Sequence, residues 1–383
     1  MHAIVFLPGI LGTRLVHDDR EIWPPDLADV ATGYRHTDAL LSARTHAGEI
    51  IDKVACKPIY SGLLSDLEDI AGPASLVDER FIVPFPYDWR RDIRATARDL
   101  GRHLTELHRE GTDGFILVGH SMGGLICRLA LEGVPNDEGP WRDAVTHLVT
   151  LGTPHRGAPV AVARAMGLEA TMTIQRNDLR RLAQSEDYPS LYQLFPPPGQ
   201  RVARRTRGGG EEALDLFDEA TAGELGLSLS NLEVARVTHA ALASGHKPEH
   251  VEYMFWAASG HKTALRIEGD ARFRKVEAGY AGDGTVPLWS ALDARTRHDV
   301  AFGEHGSFFN DYSFREAFYT ALGARLPARP FAEHGRPRIM VSVDQLTYEP
   351  DAAIDVLLVP EMPATRIDGE LRLERTPDAT REA

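Results

Sequence analysis

A serine lies between two glycines in the apolar segment FILVGHSMGGLICRL, residues 115–129. The apolar run before Gly119 predicts a buried strand, and the run after Gly123 has the spacing of a helix. A strand, the pattern G-x-S-x-G and a helix form a nucleophile elbow, in which a tight turn presents the serine hydroxyl. Side chains larger than hydrogen at the glycine positions would collide with the adjoining strand and helix. The pattern therefore predicts Ser121 as a nucleophile.

A nucleophilic serine requires a base, and the base requires a carboxylate that orients it. In folds built on this elbow, the acid and then the histidine follow the serine, on loops after later strands. Asp283 in YAGDGTVPLWSA (280–291) and His305 in AFGEHGSFFND (301–311) satisfy that order. Asp283 could also be an ordinary turn residue, since Asp-Gly is a common turn pair. His298 competes with His305, but it opens a predicted strand rather than following one, so His305 is preferred.

Two backbone N–H groups are expected to stabilise the negative charge that forms on an attacked carbonyl oxygen. One belongs to the residue after the nucleophile, which here is Met122. The other belongs to a loop after an early strand, and FLPGILGTRL (6–15) offers such a loop. The N–H of Ile10 is the natural donor there, so the sequence predicts an oxyanion hole made by Ile10 and Met122.

Short β-branched and aromatic runs alternate with helical stretches, a pattern typical of a parallel sheet with helices on both faces. The runs are continuously apolar, as strands buried on both faces require. The predicted strands are 2–7, 80–85, 114–119, 145–151, 251–259 and 297–302. The predicted helices are 60–70, 91–110, 122–132 and 312–326. We therefore predict an α/β fold with a mostly parallel central sheet flanked by helices.

Three segments depart from this alternation and predict additions to the core. Residues 13–78 contain polar turns and are predicted to hold a lid-like excursion. Residues 158–250 are polar and helical, with a mobile loop predicted at 203–212. Near the C-terminus, 336–361 predicts two or three strands and 375–383 a frayed tail. The predicted units are a core of 1–157 and 251–330, a helical cap of 158–250, and a small β-rich extension with its tail, 331–383.

The composition excludes several classes of function. Lys and Arg total 42 against 56 Asp and Glu, a net charge of −14, and without a dense basic patch no nucleic acid partner is expected. The chain opens with MHAIVFLPG, which lacks the features of a signal peptide, and no window reaches the ~18 apolar residues of a membrane span. Two cysteines, Cys56 and Cys127, cannot make a disulfide framework, which favours a cytoplasmic location.

Neither a metal nor a cofactor is predicted. His246-x-x-Glu249-His250 spells an inverted zinc-protease pattern, which needs both histidines on one face of a helix. Pro248 lies between them and disfavours that helix, and the residues that follow predict a strand. The pattern is therefore interpreted as part of a loop.

Seven motifs occur in an order shared with one family of enzymes. They are LPGILGTRL (7–15), WPPD (23–26), PYDWR (86–90), GHSMGG (119–124), LGTPHRGAP (151–159), GDGTVP (282–287) and EHGSFFND (304–311). In this order they resemble the lecithin:cholesterol acyltransferase family of α/β-hydrolases, which includes phospholipid:diacylglycerol acyltransferases and lysosomal phospholipase A2. PYDWR and GDGTVP are far more specific than G-x-S-x-G. The resemblance covers residues 3–325 and implies an α/β-hydrolase fold with lid and cap insertions.

The resemblance implies the same roles for the candidate residues. Ser121 matches the nucleophile of the family, Asp283 the acid and His305 the base, while Ile10 and Met122 match the oxyanion donors. The family also has a lid and a membrane-binding subdomain that interrupt the core. This implies a lipid or other ester as substrate and a transient contact of the lid with a membrane surface.

The lid residues are open to more than one interpretation. Trp23 falls where the family carries a lid tryptophan beside the acyl site, but it could equally be a packed residue. Tyr87 and Asp88 belong to PYDWR and are predicted near the substrate and lid, where Asp88 either pairs with Arg90 or contacts substrate. Two features depart from the family: neither cysteine can pin the lid, and the strands after residue 330 have no counterpart.

Three functions remain open at this point. The first is a serine-dependent lipid ester hydrolase, such as a phospholipase A or lipase, acting through an acyl-enzyme on Ser121. The second is an O-acyltransferase of the lecithin:cholesterol type, which passes the same acyl group to an alcohol. The third is an inactive binding protein on a hydrolase scaffold, which the intact Ser, Asp and His set disfavours. Protein partners are not predicted by any motif.

Overall fold

The computed structural model describes residues 1–54, 57–77, 79–133, 139–207, 209–292, 297–327, 339–343 and 356–360. Its strands are β1 (His2–Leu7), β2 (Thr13–His17), β3 (Arg20–Trp23), β4 (Thr45–Ile50), β5 (Lys53–Val54), β6 (Lys57–Pro58), β7 (Arg80–Pro84), β8 (Gly114–His120), β9 (Val145–Leu151), β10 (Ala203–Arg207), β11 (Gly210–Leu214), β12 (Glu252–Ser259), β13 (His261–Gly269), β14 (Phe273–Gly282), β15 (Arg297–Phe302), β16 (Ile339–Val343) and β17 (Val356–Pro360). Its α-helices are α1 (Leu27–Thr32), α2 (Thr37–Leu40), α3 (Ser61–Ala71), α4 (Ile93–Arg109), α5 (Met122–Arg128), α6 (Pro159–Ala165), α7 (Arg176–Ala183), α8 (Ser190–Gln193), α9 (Glu219–Leu225), α10 (Leu229–Ser244), α11 (Leu288–Ala291) and α12 (Tyr312–Ala321).

Six parallel strands form the central sheet, in the order β15-β12-β9-β8-β1-β7. These are the six strands that the apolar runs predict, with bounds that differ by at most one residue. The α/β-hydrolase fold predicted from the sequence is confirmed. Because the strands are parallel, their carboxyl ends share one edge, where the loops after β1, β8 and β15 meet.

The inner strands of the central sheet are buried on both faces, which explains why they are largely apolar. In β8 all residues are buried, and consecutive side chains enter different cores. Phe115 and Leu117 belong to the core under α4 and α5, whereas Ile116 and Val118 belong to the core under α3 and α12. This alternation follows from the two-residue period of a strand.

The four predicted helices are present as α3, α4, α5 and α12. Residues 129–133 continue α5 as a π-helical turn, which accounts for the rest of the helix predicted to end at 132. The helix predicted over 312–326 ends at Ala321, which is five residues early. Gly323 follows with a φ of 66°, a left-handed conformation that stops a right-handed helix.

The mobile loop predicted at residues 203–212 is wrong. The segment forms the hairpin of β10 and β11, whose strands belong to a second sheet of order β11-β10-β13-β14. Its charged side chains pair across the strands, Arg204 with Glu211 and Arg205 with Glu212, so they support a hairpin rather than disorder. The other two strands of the second sheet, β13 and β14, lie inside the predicted core segment 251–330 and were not predicted.

The remaining insertions combine short strands and helices. In the predicted lid-like excursion, β2, β3 and β4 form an antiparallel sheet of order β3-β2-β4, and α1 and α2 connect β3 to β4. Near the C-terminus, β16 and β17 pair antiparallel, so two strands within 336–361 are confirmed. The predicted tail 375–383 lies outside the described residues. The division into core, cap and extension stays a prediction.

Candidate active site

Ser121 occupies a strained turn between β8 and α5. Its backbone has φ 52° and ψ −122°, in the region of positive φ that few residues other than glycine adopt. A Cβ at Gly119 would lie 2.5 Å from the Cα of Gly124, and a Cβ at Gly123 would lie 2.5 Å from the carbonyl oxygen of Leu7. The glycines are therefore required by close approach of the helix and of strand β1. The turn has the geometry that the nucleophile elbow predicts.

Substituting Gly123 with alanine is expected to destabilise the protein, since the new methyl group would meet the backbone oxygens of Leu7 and Pro8. We expect a loss of about 1–3 kcal/mol in the free energy of unfolding, measured by thermal or denaturant unfolding. Gly223→Ala is the matched control, because that glycine is exposed in α9 and a Cβ there meets nothing within 4 Å. The control should be neutral or stabilising. Equal stability of both variants would contradict the close approach.

The structure brings Ser121, His305 and Asp283 into direct contact. The distance between Ser121 Oγ and His305 Nε2 is 2.9 Å, and that between His305 Nδ1 and Asp283 Oδ2 is 2.7 Å. His305 follows β15 and Asp283 follows β14, on loops at the carboxyl edge of the central sheet. Hydrogen bonding on both sides assigns the proton of the neutral imidazole to Nδ1, which leaves Nε2 able to accept from Ser121.

The carboxylate of Asp283 is held in place by the turn that it opens. Its Oδ1 accepts the N–H groups of Thr285 at 2.9 Å and Val286 at 2.7 Å. The backbone N–H of His305 also donates to the carbonyl oxygen of Asp283, at 2.9 Å. Asp283 is 1% exposed, so these bonds form away from solvent. Asp283 is therefore the turn residue of GDGTVP, and its other oxygen contacts His305, as the role of an orienting acid requires.

The 8–13 loop, which follows β1, passes directly beside Ser121. A Cβ at Gly9 would lie 2.9 Å from the Cβ of Ser121, so only glycine allows the loop to approach this closely. Ile10 lies in the wall of the same cavity as Ser121, and Met122 begins α5 immediately after it. Both residues therefore lie close to Ser121, and their role as oxyanion donors stays a prediction.

Four aromatic side chains form hydrogen bonds with the backbone of the 8–13 loop. All four are buried, so the loop is held without competition from water. Tyr87 Oη donates to the Pro8 oxygen (2.7 Å), Tyr60 Oη accepts from the Gly9 N–H (2.9 Å), Trp23 Nε1 donates to the Leu11 oxygen (2.8 Å), and Trp89 Nε1 donates to the Thr13 oxygen (3.1 Å). These bonds tie the loop to β3, to the start of α3 and to the segment that follows β7.

Sequence reasoning missed two polar residues beside the triad, Tyr60 and His120. The hydroxyl of Tyr60 lies 2.7 Å from Nδ1 of His120, and Nε2 of His120 lies 2.9 Å from the carbonyl oxygen of His305. Burial, and secondarily the charge of His305, lowers the pKa of His120 to about 3. His120 is therefore neutral at pH 7. Its position before Ser121 in the elbow was visible in the sequence, but its partner Tyr60 comes sixty residues earlier in the chain.

The residues predicted near the lid are placed differently from one another. Trp23 is fully buried, packs edge-on against Tyr34 and Trp89, and also lines the cavity, so both of its interpretations apply. Tyr87 and Asp88 are not among the residues that line this cavity, and their contact with substrate stays a prediction. Tyr87 points its hydroxyl at the 8–13 loop instead.

Asp88 forms a buried ion pair with Arg90. Its oxygens accept from Nε of Arg90 at 2.8 Å and from Nη2 at 2.6 Å. Arg90 is 1% exposed and also donates to the carbonyl oxygens of Leu40 and Thr45, which lie in the lid-like excursion. The structural pairing of Asp88 with Arg90 is confirmed. A bidentate pair of this kind fixes the excursion to the core.

Ser121 and His305 lie in the wall of a cavity of about 620 Å³. Most of the wall is apolar and comes from the 8–13 loop, the lid-like excursion and the predicted cap. Its apolar side chains include Ile10, Leu11, Trp23, Ile51, Ile59, Val160, Ile174, Leu179, Leu182, Leu191 and Leu194. A cavity of this size and lining is typical of sites that bind small apolar molecules.

Comparison with known proteins agrees with the motifs. The family model of lecithin:cholesterol acyltransferase matches residues 51–214. The family resemblance is confirmed. The matched stretch includes Ser121, while Asp283 and His305 lie beyond it. The match supports an enzyme that hydrolyses or transfers acyl esters of lipids, and the comparison with curated proteins finds no match.

Among the solved structures, one with a TM-score above 0.5 shares the fold at low sequence identity. The structure of the Tle4-Tli4 complex has a TM-score of 0.57 and 14% identity, over 84% of this chain and 98% of that chain. Mature lipase BlEst2 of Bacillus licheniformis has a TM-score of 0.43 and 12% identity, over 84% of this chain and 91% of that chain. In the described part of the chain, no helix combines the length and hydrophobicity needed to cross a bilayer. The cytoplasmic location stays a prediction.

Proposed function

We propose that this protein is a serine-dependent lipid ester hydrolase of the phospholipase A or lipase type, which acts through an acyl-enzyme on Ser121. The observation that carries the proposal is the contact of Ser121, His305 and Asp283 in the wall of a large apolar cavity. The three side chains have the mutual geometry of a nucleophile, a base and an orienting acid. The family match supports the same class of chemistry.

In the first half of the reaction the ester carbonyl enters with its oxygen towards the N–H groups of Ile10 and Met122. Ser121 Oγ attacks the carbonyl carbon while Nε2 of His305 removes the hydroxyl proton. Asp283, which accepts from Nδ1, stabilises the imidazolium that forms. His305 then gives the proton to the leaving alcohol as its bond to the carbonyl breaks, and the acyl group remains on Ser121.

In the second half of the reaction a water molecule attacks the acyl-enzyme. His305 removes a proton from the water, the oxyanion forms again beside Ile10 and Met122, and Ser121 leaves with the proton returned by His305. The products are a fatty acid and the free enzyme. Backbone donors fixed by the elbow and by the 8–13 loop would need no rearrangement as the charge develops, which is how such sites lower the barrier.

The test is a panel of substrates offered to the purified protein. It should contain a phospholipid and a triacylglycerol with labelled acyl chains, together with a soluble nitrophenyl ester. We expect release of labelled fatty acid from at least one lipid, with a free carboxylic acid as product. Absence of turnover on every ester, by a protein whose thermal unfolding is cooperative, would contradict the proposal.

The match to an acyltransferase family favours one alternative, transfer of the acyl group from Ser121 to a second alcohol. Both reactions share the acyl-enzyme and differ only in which nucleophile reaches it. A mass balance decides between them: labelled phospholipid is supplied with and without a long-chain alcohol, and free fatty acid is compared with new ester. New ester that exceeds fatty acid when the alcohol is present would identify a transferase.

Exposed apolar side chains beside the cavity support contact with a lipid surface. Leu27 and Val30 of α1 are 75% and 61% exposed and lie three residues apart, on one face of the helix. Met172, which is 54% exposed, also lines the cavity. The neighbouring Thr173 accepts a hydrogen bond from the backbone N–H of Tyr34 at 3.1 Å, which ties the two segments together. Inserting these side chains into a bilayer would bring the cavity to its substrate.

We expect the double variant Leu27→Ser, Val30→Ser to lower hydrolysis of lipid in vesicles about tenfold, since it removes apolar area that stabilises the bound state. Turnover of a soluble short-chain ester should stay unchanged. Leu229→Ser, Val237→Ser is the matched control, because these residues are also exposed apolar side chains but belong to α10 instead of α1. A similar loss in both double variants, or none in either, would count against the proposed surface.

A further inference from the structure

A continuous line of hydrogen bonds connects two loops of the site beside Ser121. It runs from the N–H of Gly9 to Tyr60 Oη (2.9 Å), from Tyr60 to Nδ1 of His120 (2.7 Å), and from Nε2 of His120 to the carbonyl oxygen of His305 (2.9 Å). Its two ends are the loop that carries Ile10 and the loop that carries the imidazole of the triad. The line therefore connects two segments that lie almost three hundred residues apart in the chain.

The carbonyl oxygen at the end of the line determines which atom donates in each hydrogen bond. A carbonyl oxygen can only accept, so Nε2 of His120 must carry the proton. In a neutral imidazole Nδ1 is then unprotonated and accepts the hydroxyl proton of Tyr60. The oxygen of Tyr60 remains free to accept from Gly9. Each donor in the line therefore has one acceptor, and each hydrogen bond contains a different proton.

The surroundings favour this single arrangement. Tyr60 and His120 are each 4% exposed, so water does not compete for their polar atoms. Aromatic rings pack on both, with Phe309 stacked on Tyr60 at 6.1 Å and edge-on to His120 at 5.5 Å. Phe6 packs edge-on against Tyr60 at 5.3 Å. Since both rings are confined by packing, the bonds between them have little freedom to rearrange.

We propose that Tyr60 and His120 are positioning residues that set the spacing between the 8–13 loop and the loop of His305 on either side of Ser121. The inference rests on the proposed function, because it assigns these residues to the same reaction. A nucleophile, a base and oxyanion donors must be held within a fraction of an ångström to react efficiently. The bridge supplies a direct connection between the base and the donor loop that does not pass through the substrate.

Tyr60→Phe tests the bridge by removing one oxygen atom and keeping the ring. We expect kcat on a soluble ester to fall about tenfold to a hundredfold, with KM within about twofold, because the phenylalanine ring keeps the cavity wall that Tyr60 contributes while the loops lose their spacing. The matched control is Tyr319→Phe, since Tyr319 is equally buried and donates to Asp66 at 3.0 Å, away from the cavity. Its kcat should equal that of the wild type. An unchanged kcat in Tyr60→Phe would overturn the inference.

A second variant tests whether the two residues act as one unit. His120→Gln places an amide nitrogen near the position of Nε2, so it can still donate to the carbonyl oxygen of His305, but it no longer offers Tyr60 the acceptor at Nδ1. If the bridge exists, adding Tyr60→Phe to His120→Gln lowers kcat by clearly less than Tyr60→Phe does alone. Strictly additive losses would show two independent packing effects and would overturn the bridge.

The protonation of His120 separates this inference from the proposed function. Nitrogen NMR of histidine-labelled Ser121→Ala protein, with His120→Gln for assignment, reports which ring nitrogen carries the proton without any turnover. We expect the proton on Nε2 of His120, and a proton on Nδ1 would overturn the bridge. If the wild type hydrolyses no ester, the proposed function is wrong, while the NMR result still decides the bridge.

Discussion

Replacing Ser121 with alanine should abolish ester hydrolysis and leave the fold unchanged. The hydroxyl lies 2.9 Å from Nε2 of His305, and alanine removes the only atom that can form the acyl-enzyme. We expect kcat to fall on the order of 10⁵- to 10⁶-fold, the scale seen when a serine nucleophile is removed from a complete triad. Turnover of a nitrophenyl ester measures the loss. Thermal unfolding should change little, since alanine fits the same turn.

Labelling with a fluorophosphonate provides an independent readout of the same residue. The wild type should be labelled at Ser121, and both Ser121→Ala and heat-denatured wild type should not. Ser244→Ala, at the exposed end of α10, is the control variant and should be labelled and active like the wild type. If the native wild type is not labelled, the alternative of an inactive binding protein is favoured. Normal turnover by Ser121→Ala would contradict the assignment of Ser121 as the nucleophile.

The central sheet and the triad could be predicted because their signals are local. Strands buried on both faces are rich in apolar residues, so most of them stand out as largely apolar runs. The elbow around Ser121 needs glycine at fixed positions, because neighbouring backbone comes within 2.5 Å of where a Cβ would lie. Asp283 and His305 could then be chosen by their order along the chain and by their place after strands.

The second sheet could not be predicted because its strands contain many charged residues in place of a continuous apolar run. The hairpin of β10 and β11 is rich in charge and glycine, which resembles a loop when it is read alone. In the folded chain Arg205 reaches Glu212 across the hairpin and Glu224 in α9. β13 and β14 are likewise crossed by charged pairs, among them Arg274 with Glu268 at 2.8 Å. Such sequences form strands only when they pair with neighbouring strands in the folded chain.

In the structure, side chains of the motifs WPPD and PYDWR share one physical role, which is to hold the 8–13 loop. The sequence left Trp23 open between a packed residue and the acyl site, and it predicted Tyr87 and Asp88 near the substrate and lid. In the structure Trp23 and Tyr87, together with Trp89, donate hydrogen bonds to backbone oxygens of the 8–13 loop. A loop with several glycines is intrinsically mobile, and buried aromatic donors restrict it where an oxyanion hole needs rigidity. The side chains that surround the site thus act largely by holding backbone in place.

Asp283→Asn should produce the second large loss of activity, about 10⁴-fold in kcat, with little change in stability. Oδ1 of Asp283 accepts two backbone N–H groups, at 2.9 and 2.7 Å, and the amide oxygen of asparagine would keep that position. The amide NH₂ then faces Nδ1 of His305, and it can only donate. Nδ1 must accept, so the proton moves to Nε2, which can no longer take the proton of Ser121.

The substitution isolates the tautomer of His305 because it keeps the size of the side chain and both backbone bonds. Asp99→Asn is the control: Asp99 is exposed on α4 and pairs with Arg102, so its activity should equal that of the wild type. Fluorophosphonate labelling of Ser121 should slow in parallel with kcat in Asp283→Asn, since both depend on the same proton transfer. An Asp283→Asn variant within tenfold of wild-type kcat would mean that the backbone around His305, rather than this carboxylate, selects the tautomer.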